Sequence, residues 1–254
     1  MPECRERRIN VKNQFIQGLT IDWAKINMDS YLRKIDAIKD VHTLTFNKPV
    51  TFFFFFYGSG KSTMLEAIAV AYGFNPEGGT KNYSFSTYDS HSELCDAITI
   101  IKGVHRPRFG YFLRAESFYN VATKEQEYAD IDHPSEKYHE KSHGESFLAI
   151  AQNYMKAGGI YIFDEPEAGI DLWSFSMLVK QFEKIHREKR ESLVLISHQE
   201  RIIRMADRIM VVRDGRVEEC GSREESLPKL FLEEAECTCM DREEAVCDVQ
   251  GGRE

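Results

Sequence analysis

The sequence predicts an α/β fold built on a largely parallel sheet, with helices on its faces and a smaller helical or irregular subdomain. Three observations carry that expectation. The run 50–56 (VTFFFFF) is apolar on both faces and leads into a glycine-rich turn, after which Met64, Leu65, Ile68 and Ala69 recur at helical spacing. A second apolar run, Ile160-Tyr161-Ile162-Phe163, ends in the paired acids Asp164-Glu165. Through the C-terminal third, strand-like and helix-like stretches then alternate, which is the sequence signature of parallel pairing.

Taken in order, residues 9–57 read as strands with one helical interruption. Leu44 and Phe46 alternate with Thr43 and Thr45 as in a half-buried strand, and the run after Pro49 has the continuous apolarity of a central parallel strand. Residues 73–140 are polar; 97–101 and 110–113 read as strands, and 124–141 is charged and exposed. A helix is expected over 145–156, with Phe147, Leu148, Ile150, Ala151 and Tyr154 on its apolar face. Phe175, Leu178, Phe182 and Ile185 step by threes and fours along an amphipathic helix. Beyond it lie a strand at 193–196, a helix at 199–206 and a strand at 209–212. Asp214-Gly215 then makes a hairpin turn into Val217, and Ser222 with Glu225 forms a capping box for a last helix.

At 254 residues the chain is long enough for one large domain with a full core, and no internal repeat divides it. We assign one domain to 1–232, with 73–157 as an inserted subdomain, and an acidic, disordered tail to 233–254. The tail holds eight acidic side chains against Arg242 and Arg253, which accounts for six of the eight excess negative charges. The body is therefore nearly balanced, and bulk charge argues neither for nor against nucleic acid. No apolar stretch reaches the roughly 18 to 20 residues of a membrane span, and the charged N-terminus has no apolar core of a secretory signal. The expected compartment is the cytoplasm. There six scattered cysteines do not predict a disulfide framework, and Cys237, Cys239 and Cys247 match no standard zinc spacing.

Four motifs carry chemistry. Gly58-Ser59-Gly60-Lys61-Ser62-Thr63 is the ending of a phosphate-binding loop: glycines let backbone N–H groups turn inward, lysine supplies charge and the serine hydroxyl can ligate Mg²⁺. Its strand–loop–helix context is the one such a loop requires. Asp164 is placed to share the Mg²⁺ shell with Ser62, and Glu165 to polarise an attacking water. Ser142-His143-Gly144-Glu145-Ser146 opens a helix whose free N–H groups form an anion site. The apolar run 193–196 ends in Ser197-His198, whose imidazole is able to contact a γ-phosphate or the water.

The order of these motifs along the chain closely resembles that of the ATP-binding cassette ATPases, over residues from about 40 to 222. The resemblance implies ATP and Mg²⁺ as cofactors. It also implies a head-to-tail, nucleotide-dependent homodimer in which SHGES (Ser142, Gly144 and Glu145) meets ATP held by the opposite subunit. Asp164 to Asp171 looks like Walker B plus D-loop, and His198 like the switch histidine. The family's Q-loop glutamine has no clear counterpart; Glu116 stands in roughly that place as a metal-site candidate. The stretches NKPVTFF, GSGKSTMLEAIAVAYGFNPEGG and GYFLRAESFYNVAT resemble compact soluble AAA-family, cassette-like ATPases. DEPEAGIDLWSFSMLVKQFEKIH through ISHQERIIRMADRIMVVRDGRVEECGS resembles the ATPase of the Suf iron–sulfur assembly system. Such halves would meet in a recombined or designed sequence. A separate protein partner or scaffold is implied, and its cargo is not encoded in these motifs.

Two features pull against that reading. The full loop pattern demands glycine at position 55, where the strand must turn sharply, and this chain has Phe55. Phe55 either crowds the loop or lets the strand run on, so a nucleotide-binding or catalytically impaired interaction module is the alternative to an active ATPase. His139-Glu140-Lys141-Ser142-His143 is also a literal H-E-x-x-H, the zinc-hydrolase pattern, which needs both histidines on one continuous helix. Gly144 follows at once, no apolar helix precedes it and it overlaps SHGES, so zinc hydrolysis ranks far behind the other two readings.

Overall fold

The computed structural model describes residues 14–36, 38–46, 48–55, 60–82, 92–129, 135–188, 192–213, 216–221 and 226–227. Ten strands in these residues form two sheets. A three-stranded antiparallel sheet has the order β2 (Thr43–Thr45), β1 (Ile16–Ile21), β5 (Ile98–Lys102). The larger sheet runs β10 (Arg216–Gly221), β9 (Arg208–Arg213), β3 (Val50–Phe55), β8 (Ser192–Ile196), β7 (Gly159–Asp164), β6 (Phe109–Arg114), β4 (Gly79–Thr80). Its five inner strands are mutually parallel, and β10 and β4 close the two edges antiparallel. The α/β fold with a mostly parallel sheet flanked by helices is therefore the observed one.

The double-sided apolarity of the inner strands has a direct cause: each face of the sheet has its own core. Alternate residues (Phe53, Phe112, Ile160, Ile162, Val194, Ile196) point into a cluster with α1 (Lys61–Tyr72), α2 (Leu94–Ala97) and the small sheet. Their neighbours (Phe52, Tyr111, Tyr161, Phe163, Leu193, Leu195) point the other way. There they meet α3 (Phe118–Tyr128), α4 (His143–Tyr154), α5 (Leu172–Glu188) and α6 (Glu200–Ile203). The period of two along each strand thus builds two cores at once.

Caps set the helix ends. Gly73 stops α1 in a left-handed conformation (φ 108°), its N–H reaching the Ala69 and Val70 carbonyls. Ser142 and Glu145 close a reciprocal capping box, so α4 begins two residues before the expected 145. Asp171 caps α5, its Oδ1 accepting from the backbone N–H of Trp173 at 2.9 Å and Ser174 at 3.0 Å.

Several expected elements differ. The interruption between β1 and β2 is two 3₁₀ turns, Trp23–Lys25 and Tyr31–Lys34, opened by the Asp22 and Ser30 side chains. The charged stretch after 124 begins inside α3, whose buried face is only Phe118, Val121 and Ala122, too sparse to show as a period. The helix expected to reach residue 206 stops as α6, because the Asp207 backbone N–H already donates to the Val50 carbonyl and draws the chain into β9. Residues 73–157 are woven into both sheets: they give β5 to the small one and β4 and β6 to the large one. Ser222, Glu225 and the segment 233–254 with its three cysteines lie outside the described residues.

Candidate functional site

Parallel strands present their C-terminal ends together, and here those ends gather most of the motif residues. β3 leads towards Gly60, which turns the chain into α1 with φ 72°; a Cβ there would sit 2.8 Å from both Ile35 Cγ2 and Ile38 Cδ1. Both the left-handed backbone and the contact require glycine. Lys61, Ser62 and Thr63 form the first turn of α1. Gly58 and Ser59 lie outside the described residues. Phe55 is the last residue of β3, paired with Val212, so the strand runs on through the position where the loop pattern asks for glycine.

Asp164 ends β7, and its buried carboxylate Oδ1 accepts from the Ser62 hydroxyl at 3.3 Å. Burial pushes the Asp164 carboxyl up to about 6, against the opposing pull of the Ser62 hydrogen bond and the Arg114 guanidinium. Glu165 follows with φ 50°, a left-handed conformation uncommon for a residue with a side chain. The Glu165 N–H donates to the Ile196 carbonyl at 3.1 Å, fastening this strained turn to β8. Glu165 Oε1 lies 3.4 Å from Lys61 Nζ and 3.3 Å from His198 Nε2, and Lys61 Nζ also meets His198 Nε2 in a short contact. Lys61, Glu165 and His198 therefore form one mutually contacting group beside the Ser62–Asp164 pair.

Three more residues build this group without having been singled out by their motifs. Glu167 Oε1 accepts from the Ser197 hydroxyl at 2.5 Å and from the His198 backbone N–H at 2.8 Å, fixing the loop that carries the imidazole. Arg114 ends β6 in register with Asp164 and joins Glu66 on α1 to Glu116. Glu116 is exposed and receives Arg114 Nη2 at 3.1 Å. The D-E-P-E spacing held a signal for Glu167. None existed for Glu66 or Arg114, which meet only through the tertiary fold.

The remaining motif residues form a second group, at the facing ends of α4 and α5. A Cβ on Gly144 would sit 2.7 Å from Ser174 Oγ and 2.8 Å from Asp171 Oδ2, so α4 approaches the Asp171 cap as closely as glycine permits. Ser142 and Glu145 are exposed here, and the Ser142 N–H and hydroxyl hold the Glu145 carboxyl below its usual range.

The geometry gives the H-E-x-x-H pattern no helix to act from. His139 and Glu140 belong to a 3₁₀ turn, Tyr138–Glu140; Lys141 and Ser142 are extended, and His143 starts α4. His139 stacks on Tyr119 and bonds Thr123 at 3.0 Å, whereas His143 packs on Phe118 and Phe147. Histidines in two different elements do not share one helix face, and no cluster of three metal-ligating side chains occurs among the described residues. No helix among those residues is long and apolar enough to cross a membrane.

No family model matches the chain. Part of it is 35% identical over 80 residues to the mitochondrial iron–sulfur clusters transporter atm1 of Aspergillus fumigatus, covering 32% of this chain and 11% of that one. It is 32% identical over 76 residues to the energy-coupling factor transporter ATP-binding protein EcfA2 of Spiroplasma kunkelii, covering 30% and 25%. It is 34% identical over 74 residues to the lipoprotein-releasing system ATP-binding protein LolD 2 of Chlorobaculum tepidum, covering 29% and 30%. The chain thus matches less than a third of the length of these curated relatives. A solved dimeric ATP-binding cassette in a post-hydrolysis state with ADP and Pi aligns over 82% of this chain and 97% of that one, at 18% identity and a TM-score of 0.44. The curated relatives place the similarity of this chain with ATP-binding proteins of cassette transporters.

Proposed function

We propose that the protein binds and hydrolyses ATP at the C-terminal ends of β3, β7 and β8, in the manner of a cassette ATPase. The observation that carries this reading is the convergence of Lys61, Ser62, Asp164, Glu165 and His198 from three separated segments. Ser62 and Asp164 are hard oxygen donors held 3.3 Å apart at the strand ends, which suits a magnesium ion that keeps water and phosphate oxygens in the rest of its shell. When bound, Mg²⁺ would neutralise charge on the β- and γ-phosphates. Lys61 would exchange its carboxylate contact for a phosphate oxygen, releasing Glu165 to accept a hydrogen bond from the attacking water. His198, held by Glu167, would orient that water or the γ-phosphate. Ser142, Gly144, Glu145 and Asp171 would complete the site of a second copy in a head-to-tail homodimer, and Glu116 would stand at its margin. The partner protein or scaffold driven by turnover, and a Suf-like or AAA-like branch for the two halves, belong to this same reading.

Steady-state ATP turnover tests it, alongside nucleotide binding followed by thermal shift with and without Mg²⁺. Glu165→Gln is expected to abolish turnover and retain binding; absence of nucleotide binding at any concentration would sink the reading. One observation favours the alternative of an impaired module: β3 continues through Phe55 instead of turning. Phe55→Gly is expected to tighten ATP binding if that continuation hinders the loop, and an unchanged affinity would remove the objection.

A further inference from the structure

The C-terminal end of β6 holds a cation that the proposed hydrolytic machinery does not use. Ser62 and Glu66 stand one helical turn apart on α1, so the same helix face presents both. Ser62 binds Asp164, and Glu66 binds Arg114 Nη1, while Arg114 pairs in register with Asp164 across β6 and β7. The four side chains close a ring. Glu66 is fixed at its other oxygen by the Ser92 N–H at 3.1 Å, so it is a firm anchor for the guanidinium. Nη2 reaches Glu116 at 3.1 Å. The remaining donor, Nε, is buried, has no hydrogen-bond acceptor among the described residues, and lies 4.0 Å from Asp164 Oδ2.

One guanidinium is thus shared among three carboxylates, with its unused donor beside the acid proposed to hold the metal. The guanidinium charge, 4.0 Å from Asp164 Oδ2 and little exposed, offsets the charge of that carboxylate and weakens its pull on a second cation. We propose that Arg114 is a positioning residue that neutralises Asp164 in the nucleotide-free protein, so that a divalent cation enters with the nucleotide phosphates and not ahead of them. The inference rests on the nucleotide-site reading for the role of Asp164, but its test needs no turnover. With phosphate oxygens present the ion gains ligands that outweigh the neighbouring guanidinium. Without them the ion would have one carboxylate and one hydroxyl from the protein, and a fixed positive charge close by.

Mn²⁺ binding to the full-length protein without nucleotide, followed by paramagnetic resonance of the free ion, is the direct measurement. Arg114→Gln is expected to bind Mn²⁺ at least about tenfold more tightly than wild type, a difference of about 1.4 kcal/mol. Arg114→Lys, which keeps the charge and loses the fork, should fall between them. Adding Asp164→Asn to Arg114→Gln should return the affinity to the wild-type level. If Arg114→Gln fails to fold because Glu66 is left charged and buried, Glu66→Gln with Arg114→Gln removes both charges and gives the same comparison. Equal Mn²⁺ affinity in wild type and the folded Arg114 variant, or a gain that survives Asp164→Asn, would overturn the proposal and leave Arg114 as a clamp between β6 and α1. Loss of ATP binding in the wild type would count against the nucleotide-site reading alone, because the Mn²⁺ comparison is made without nucleotide.

Discussion

Burial sets the behaviour of Asp164. Because its carboxyl is raised from 3.8 to about 6, ionising it disfavours the folded state. The relative stability it gives is complete at low pH and is lost as pH rises through about 6. A shift of that size corresponds to roughly 3 kcal/mol. Asp164→Asn is therefore expected to be more stable than wild type by up to about 3 kcal/mol near neutral pH, the gain shrinking towards about pH 4. Denaturant unfolding across that range checks it; a variant no more stable at neutral pH would show that Arg114 and Ser62 fully offset the burial. Glu167 lends itself to a kinetic prediction at the same scale. Glu167→Ala removes the acceptor for both Ser197 and the His198 backbone, and a displaced imidazole should lower kcat by about 10- to 100-fold. KM should stay near its original value, and Glu167→Gln, which keeps an acceptor oxygen, should recover most of the rate.

At the scale of elements, α4 and α5 are joined where their caps meet. Ser142→Ala breaks the capping box and should destabilise by about 1 kcal/mol. Gly144→Ala should destabilise by about 1–3 kcal/mol, since the new methyl would overlap Ser174 and Asp171 unless α4 moves away. Thermal denaturation of both variants measures the difference; Gly144→Ala as stable as wild type would mean the two helices part freely. These elements also show what was readable beforehand. β3, β7, β8 and β9 were legible because two cores make nearly all their inner positions apolar, and the site was legible where each motif ends such a strand. α3 was hidden because three buried residues do not make a period. Arg114 and Glu66 were hidden because an ion pair between a strand end and a helix turn 48 positions apart leaves no local pattern.

The whole molecule carries two tryptophans in very different settings. Trp23 is buried with the core of the small sheet, whereas Trp173 is 66% exposed beside the Asp171 cap, next to the still barer Leu172. If Mg-ATP closes a head-to-tail homodimer over this end of α5, the Glu165→Gln protein should sediment as a dimer with ATP and as a monomer without it. Its tryptophan emission should shift to the blue on closure, and Trp173→Phe should remove that shift. A monomer at saturating nucleotide would rule out the dimeric arrangement while leaving binding in one copy intact.

The register of β3 has a consequence for how the chain is made. Val50 pairs with Leu193 and Thr51 with Arg208, so neither neighbour of the phenylalanine strand exists until the last quarter of the described chain has been synthesised. At 5–20 residues per second that is a wait on the order of 10 s, during which an uncharged, strongly β-forming segment has no native strand to join. Nascent chains halted before residue 192 should therefore be the aggregation-prone species. Yield in cells would then depend on how the ribosome and its chaperones shelter one strand, more than on the stability of the finished sheet.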